Sequence, residues 1–400
     1  MGKVILLGAG ASKSYSESKS GVKMPIAIDF FETFRSLDIS ANSWVLIGNL
    51  LNYISKFRKI NLEDFSNFNE DIEQLHSEIQ SKLYKKLKSS KDLLSNPDNI
   101  IYLKAYNELT FLFVSVINEV QNGPISEAHL NLAKQLSNED SIITFNWDTL
   151  MDRALNEVTE WSADSGYFRV PNMVYRDEWS DPIENESLNK FPMLLKLHGS
   201  SNWLTSYTVP KNGKLELTQE ISAEQFFVYE NNIKPFSCHA GRYMEDYEDF
   251  SYGYYPPNLP VKGKSTPEGM LFVSSRLKSP FMEEGKANSQ GLVSMPLIIP
   301  PVKNKEYDQF GDLFSSLWGE AKKRLIEAEE IYIIGYSFPE TDYRSSELFK
   351  SAFINRTDMP NITIINPSPE FIEERFLFEF GITKDKLTVI KGYFNDKTVL

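Results

Sequence analysis

Five short clusters in this chain hold residue types that can do chemistry. Gly8-Ala9-Gly10-Ala11-Ser12 follows an apolar run, and glycine at such a turn lets backbone N–H groups approach a pyrophosphate. The pattern is GxGxS rather than GxGxxG, and a tight strand-to-helix turn calls for glycine on its own account. In Thr144-Phe145-Asn146-Trp147-Asp148 an amide stands two residues from a carboxylate. That pair can address an amide or hydroxyl of a substrate; Asn146 or Asp148 can equally cap a following helix. His198, in Leu195-Lys196-Leu197-His198-Gly199, sits where a general base would sit, although a lone histidine also serves ordinary turn hydrogen bonds. The other histidines differ: His76 and His129 lie in helical patterns and His239 in an irregular stretch. Gly335-Tyr336-Ser337-Phe338 and Asn366-Pro367-Ser368 offer small polar groups suited to ribose and phosphate oxygens, and the same residues build plain turns.

These clusters share a position. Each stands at the end of an apolar run: Val4–Leu7, Ser141–Phe145, Met193–Leu197, Ile331–Ile334 and Ile362–Ile365, with Leu387–Ile390 closing the series. Short, wholly apolar runs read as strands buried on both faces of a parallel sheet. Helical patterns follow several of them, among them Thr149–Glu157 and Glu370–Phe378. Strand then helix, repeated, predicts an α/β fold with a doubly wound, mainly parallel, Rossmann-like sheet. Ligands in such sheets sit at the C-terminal strand ends, so five loops converging on one edge describe a dinucleotide crevice.

Two stretches interrupt the rhythm, and we read the chain as one domain over 1–400 carrying both as insertions. Residues 26–137 are mostly helical in pattern. Ile72, Leu75, Ile79, Leu83 and Leu87 recur at the three-to-four spacing of one buried stripe within Asp71–Lys88. Tyr102–Val120 is apolar nearly all round, which predicts a buried helix, and Gly123-Pro124 separates it from a helix over Ser126–Leu136. Residues 205–290 are rich in Tyr, Pro, Gly and Glu and predict an irregular insertion with short strands.

Composition excludes several classes. With 41% hydrophobic and 24% charged residues the 400-residue chain is neither disordered nor fibrous. A net charge of −13 opposes general nucleic-acid binding, which needs basic residues to neutralise phosphates. The single cysteine, Cys238, makes no intramolecular disulfide and no four-cysteine zinc site. No run of 18 apolar residues predicts a membrane span, and the start of the sequence carries no leader pattern. These features together favour the cytoplasm.

The order of motifs, from GAGxS through N-x-D, HG and GYS to a late Asn, resembles the sirtuin (SIR2-like) superfamily across residues 3–390. It is most similar to the zinc-free bacterial branch of antiphage-defence proteins, including the subunit that assembles with HerA-type ATPases. The resemblance implies that Gly8, Ala9, Gly10 and Ser12 cradle the phosphates of NAD. It gives Asn146 the nicotinamide ribose and a water, Asp148 the nicotinamide amide, and His198 the role of general base. Gly335 and Ser337 would contact phosphate or ribose, and Asn366 the adenosine ribose. Deacylating sirtuins carry a four-cysteine zinc module, an FGE-like peptide strand and a GIPDFR segment. Here there are only Cys238, Ser200-Ser201-Asn202-Trp203 and Gly21-Val22-Lys23-Met24-Pro25, which weighs against deacylation. The resemblance thus implies an NAD+ hydrolase, with NAD as substrate and no zinc, that depletes NAD+ in abortive infection. It also implies a homo-oligomer, a HerA-type ATPase or other defence partner, and a phage trigger. The alternatives are a non-catalytic NAD or ADP-ribose sensor and an NAD-dependent deacylase or ADP-ribosyltransferase. The sequence itself holds no GxxxxGK[ST] nucleotide loop.

Overall fold

The computed structural model describes residues 2–37, 40, 43–61, 67–89, 97–176, 179–183, 190–206, 208–211, 214–217, 226–230, 233, 294–302, 305, 307–339, 342–354 and 356–400. In chain order the elements begin β1 (Val4–Leu7), α1 (Ala9–Ser12), α2 (Phe30–Ser36), α3 (Ser43–Arg58), α4 (Ile72–Ser89), α5 (Pro97–Gln121) and α6 (Glu127–Ala133). Next come β2 (Ser141–Thr144), α7 (Leu150–Val158), β3 (Met173–Tyr175), β4 (Trp179–Ser180), β5 (Met193–Lys196), β6 (Gly199–Ser206), β7 (Thr208–Lys211), β8 (Lys214–Leu217), β9 (Phe227–Tyr229) and β10 (Ser294–Ile298). The chain closes with α8 (Leu313–Glu327), β11 (Glu330–Ile334), α9 (Tyr343–Phe353), β12 (Asn361–Asn366), α10 (Glu370–Glu374) and β13 (Leu387–Lys391). Cys238, His239 and most of the stretch 205–290 lie outside the described residues.

The apolar runs form one six-stranded, all-parallel sheet in the order β13-β12-β11-β1-β2-β5. Numbered by their turn in the chain these strands run 3-2-1-4-5-6 from the β5 edge, the Rossmann order. The switch point, where successive strands depart in opposite directions, falls between β1 and β11. Register puts Leu7 beside Thr144 and Ile334, Thr144 beside Lys196, and Ile334 beside Ile365, so the strands end level. The expected parallel, doubly wound sheet is therefore present, with its motif-bearing loops on one edge. Central strand β1 is wholly apolar because it is covered on both faces: Val4, Ile5, Leu6 and Leu7 are all buried, whereas the edge strand β13 is largely exposed.

A second sheet runs in the order β10-β6-β9-β3-β4, and its strand β6 starts one residue after His198. Its β6 strand faces two cores. Trp203 packs with the parallel sheet, whereas Leu204 packs with the helical block. The helices between β1 and β2 thus rest on this small sheet through Leu204, Phe227, Tyr229, Met295 and Ile298. The stripe of α4 (Ile72, Leu75, Ile79, Leu83, Leu87) is buried in that core, as its spacing requires. Arg153 of α7, itself buried, donates to the carbonyls of Gln121 and Gly123 and fixes the end of α5 against the sheet. Gln121 Oε1 in turn accepts from the Thr149 N–H at 2.7 Å, so the helical block holds the loop after β2. No described helix is long and apolar enough to cross a membrane.

Helix α3 breaks at Ile47 (φ −136°, ψ 28°), and Glu108 of α5 takes over the exposed N–H groups. Its carboxylate accepts from the Asn49 and Leu50 N–H groups at 2.8 and 2.9 Å and from the Asn49 side chain. It acts as an N-cap supplied by another helix. Burial raises the Glu108 carboxyl to about 7, against these bonds, which pull it down. The native state therefore keeps a proton that the unfolded chain loses first. The Glu108 contribution falls as pH rises from its ordinary carboxyl range to about 7 and is level above that. Glu108→Gln should remove this loss: urea unfolding of variant and wild type at pH 5 and pH 8 should show the variant gaining on the wild type at the higher pH.

Candidate active site

The loops after β1 and β11 meet backbone to backbone at the switch point. Gly10 N–H donates to the Gly335 carbonyl at 2.8 Å, and Gly335 N–H to that of Ile365 at 3.0 Å. Gly335 has φ +64°, and a Cβ there would lie 2.3 Å from Ala11 N, so both its conformation and its contact exclude a side chain. The N–H groups of Gly10 and Ala11 are thus spent within the protein, Ala11 donating to Gly8 O at 2.9 Å. The glycines of GAG and GYS first serve the docking of one loop on the other. Beyond them Phe338 sits at φ +52°, its carbonyl held by Arg375 at 3.0 Å.

The loop after β2 is locked onto the loop after β1. Asn146 Nδ2 donates to the Gly8 carbonyl at 2.8 Å and to Ser12 Oγ at 2.7 Å. Ser12 Oγ donates to Asp148 Oδ2 at 2.5 Å, while Asp148 Oδ1 accepts the Leu150 N–H at 3.1 Å at the start of α7. With both amide hydrogens engaged, Asn146 keeps Oδ1 as an acceptor. Lys196, at the end of β5, donates to the Asp148 carbonyl at 2.5 Å and pairs with Asp152 at 2.9 Å, both side chains 1% exposed.

His198 occupies the turn between the two sheets. Its carbonyl accepts from Ile299 at 2.8 Å, and Gly199, at φ +78°, is pressed so closely on Leu297 O that a Cβ would fall 2.1 Å from it. The imidazole lies among Phe145, Trp147, Tyr307 and Trp318. Its Nε2 stands 3.6 Å from Asp342 Oδ1, just beyond hydrogen-bond range. Burial lowers the His198 pKa, and the facing carboxylate only partly restores it, so the ring is neutral at physiological pH. Burial alone would raise the Asp342 carboxyl; the neighbouring His198, Lys305 and Tyr336 outweigh it and hold it near 2. A neutral imidazole beside an ionised carboxylate is the state a general base requires.

These groups border one cavity of about 860 Å³ at the C-terminal edge of the parallel sheet, within the range of about 300–1,000 Å³ typical of ligand sites. Asn146, His198, Ala9, Gly10, Gly335, Ser337 and Asn366 line it. Gly8, Ser12 and Asp148 are not on its wall; they form the layer behind. The Asp148 carboxylate accepts from Ser12 Oγ and from the Leu150 N–H. Asn366 Oδ1 accepts the Ser368 N–H at 2.9 Å, which leaves its Nδ2. His76 and His129 are buried and do not line the cavity, and burial holds them at about 3 and about 4. Among the described residues no group of His, Cys, Asp or Glu could hold a metal ion.

The structure adds residues that the motifs do not announce. Asp342, Lys305, Lys13 and Lys23 line the cavity, and Phe145, Trp147 and Tyr336 give it aromatic faces. The aromatics lie inside the motifs and Lys13 directly follows GAGAS, so each of these had a sequence signal of position, whereas Lys23 lies further along the chain. Asp342 follows Gly335 by seven residues in a stretch without a motif, and Lys305 lies in an irregular segment. No protein-family model and no curated protein matches the sequence.

Ser337 is exposed on the cavity wall, whereas Gly335 is wedged against Ala11. Gly335→Ala should cost about 2 kcal/mol or more in urea unfolding, and Ser337→Ala should stay within about 0.5 kcal/mol of wild type.

Proposed function

We propose that the protein is an NAD+ hydrolase that cleaves the bond between nicotinamide and ribose to give ADP-ribose and nicotinamide. The observation that carries this reading is the shared cavity: His198 and Asn146, from different strands, line one hollow at the switch point of a 3-2-1-4-5-6 sheet. Such a crevice suits a dinucleotide.

The reaction needs little acid help, because the leaving nicotinamide carries its positive charge away from the sugar. What it needs is stabilisation of an oxocarbenium-like sugar and a positioned water. Asn146 Oδ1 is suited to a ribose hydroxyl or that water. The ring faces of Phe145, Trp147 and Tyr336 suit a cationic pyridinium, which aromatic faces attract. Lys13 and Lys23 bring positive charge for the pyrophosphate, and Ser337 and Asn366 bring groups for phosphate and ribose. Neutral His198 would take a proton from water or a ribose hydroxyl. The resemblance to antiphage-defence sirtuins supports a role in NAD+ depletion during abortive infection, in a homo-oligomer with a defence partner and in the cytoplasm.

Incubation of the purified protein with NAD+, followed by chromatography, tests this reading. Equal amounts of ADP-ribose and nicotinamide are expected. His198→Ala should lower kcat by about 10²–10⁴-fold and Asn146→Ala should do likewise, with circular dichroism unchanged. Intact NAD+ together with a raised melting temperature would support a sensor instead, and turnover only with an acyl-lysine peptide would support a deacylase.

A further inference from the structure

We infer that Asp342 is the positioning carboxylate of His198: it orients the imidazole and stabilises the imidazolium formed when the ring takes up a proton. For the reaction this rests on the NAD+ hydrolase reading; for the pair it rests on geometry alone.

Asp342 occupies the N-cap position of α9, yet its side chain makes no capping hydrogen bond. The carboxylate is turned the other way. Oδ2 accepts the Tyr336 hydroxyl at 2.7 Å, and Oδ1 faces His198 Nε2 at 3.6 Å. The main chain beneath it is fixed: Asp342 N–H donates to Pro339 O at 2.9 Å, and Ser345 Oγ donates to the Asp342 carbonyl at 2.7 Å. Both side chains are buried, 3% exposed for His198 and 4% for Asp342. Neither Nε2 nor Oδ1 has a hydrogen-bond partner in this state. A buried polar atom left in that condition costs about 1–3 kcal/mol, and here two such atoms face each other. Catalytic hydrogen bonds are often long without ligand and tighten in the substrate complex. The two residues are 144 positions apart, brought together by the β5 and β11 loops.

The surroundings leave Asp342 as the nearest charge. From the loop after β2 come Phe145 and Trp147; from the segment after β10 and from α8 come Tyr307 and Trp318; Tyr336 comes from the loop after β11. Lys305 Nζ lies 3.6 Å from Asp342 Oδ1 on the same side, and Arg344 stacks over Tyr307 at 4.2 Å. Both cations oppose an imidazolium, so the carboxylate is the group that can hold one.

In the step itself a water oxygen bonds to the anomeric carbon while the carbon–nitrogen bond breaks. Its electron pair stays on the nicotinamide nitrogen, which becomes neutral. The water proton passes to His198, whose imidazolium then faces the Asp342 carboxylate, and leaves to solvent after product release.

Asp342→Asn, which keeps the shape and removes the charge, is the test. NAD+ turnover should fall about 10²–10⁴-fold in kcat with KM little changed, and the acid limb of the pH–rate profile should move to lower pH. A second readout does not need turnover. With histidine labelled at Cε1, the His198 resonance is identified by its loss in His198→Ala, and its titration is followed by NMR. Asp342→Asn should move that titration to lower pH. Tyr336→Phe, which strips the carboxylate of a donor and leaves it a better partner for the ring, should move it to higher pH. A His198 titration unchanged in Asp342→Asn would overturn the assignment. Should that variant not fold, Tyr336→Phe decides in the same way, a rise supporting the pair and no movement overturning it. If the wild type leaves NAD+ intact while Asp342→Asn still moves the His198 titration, the pair stands and the hydrolase reading falls.

Discussion

Asn146 spends both amide hydrogens on the loop of the neighbouring strand, one on the Gly8 carbonyl and one on Ser12 Oγ, and Ser12 passes the chain on to Asp148. Each such bond contributes only about 0.5–1.5 kcal/mol net, but a partner removed leaves buried polar atoms unmatched. Around this knot the other loops are fastened in turn. Lys196 holds the Asp148 carbonyl from the end of β5, and Gly10 holds the Gly335 carbonyl across the switch point. The ends of β1, β2, β5 and β11 therefore form one cross-linked edge. These four loops of the cavity wall keep their shape because each is bonded to another; Asn366, after β12, also lines the hollow.

The small sheet supplies what the parallel sheet lacks. A parallel sheet ends in separate loops, and a histidine on a free loop would not be held to the precision that proton transfer requires. Here the chain leaves β5 and enters β6 within three residues, so His198 is pinned between two sheets. Trp147 Nε1 donates to the Ile299 carbonyl at 3.2 Å and Ser201 N–H to the Trp147 carbonyl at 2.7 Å. The loop after β2 is thereby clamped from this side too. The helical block reaches the same loop through Gln121 and Arg153, which explains how helices that pack on the small sheet still bear on the site.

Much of this was legible in the sequence, for physical reasons that also mark where legibility stops. The parallel strands announce themselves because burial on both faces demands unbroken apolar runs, and α4 because one buried face demands a stripe. Strand order does not announce itself: 3-2-1-4-5-6 is a matter of which runs pair, and nothing local encodes it. Strand β6 carries no apolar run to announce it, because Gly199, Ser200, Ser201 and Asn202 are small and polar. Ser200, Ser201 and Asn202 are nevertheless fully buried, and Gly199 is pressed so closely on Leu297 that it has no room for a side chain. Gly8, Ser12 and Asp148 show the converse. Residues that suit a phosphate or an amide also suit a neighbouring loop, and types alone do not say which partner wins. Asp342 was silent because its partner is far along the chain.

The distribution of buried polar groups gives the edge its meaning. Lys196 and Asp152 form an ion pair about as buried as any leucine of the core, with Tyr167 donating to Asp152 at 2.5 Å. Taking two charges out of water is costly, and apolar residues of similar volume are often at least as stable. The same holds for His198 facing Asp342 inside a ring of aromatics. Stability alone would fill these positions with more of the Ile and Val that fill the strands. Instead Lys196 and the His198–Asp342 pair stand at or just beyond the C-terminal ends of strands, in or beside the loops that wall the cavity. A departure from the core-building rule that borders a cavity fits a constraint other than folding. The constraint that fits is the one the geometry expresses: a neutral imidazole, a carboxylate and an amide held fixed around a hollow of dinucleotide size.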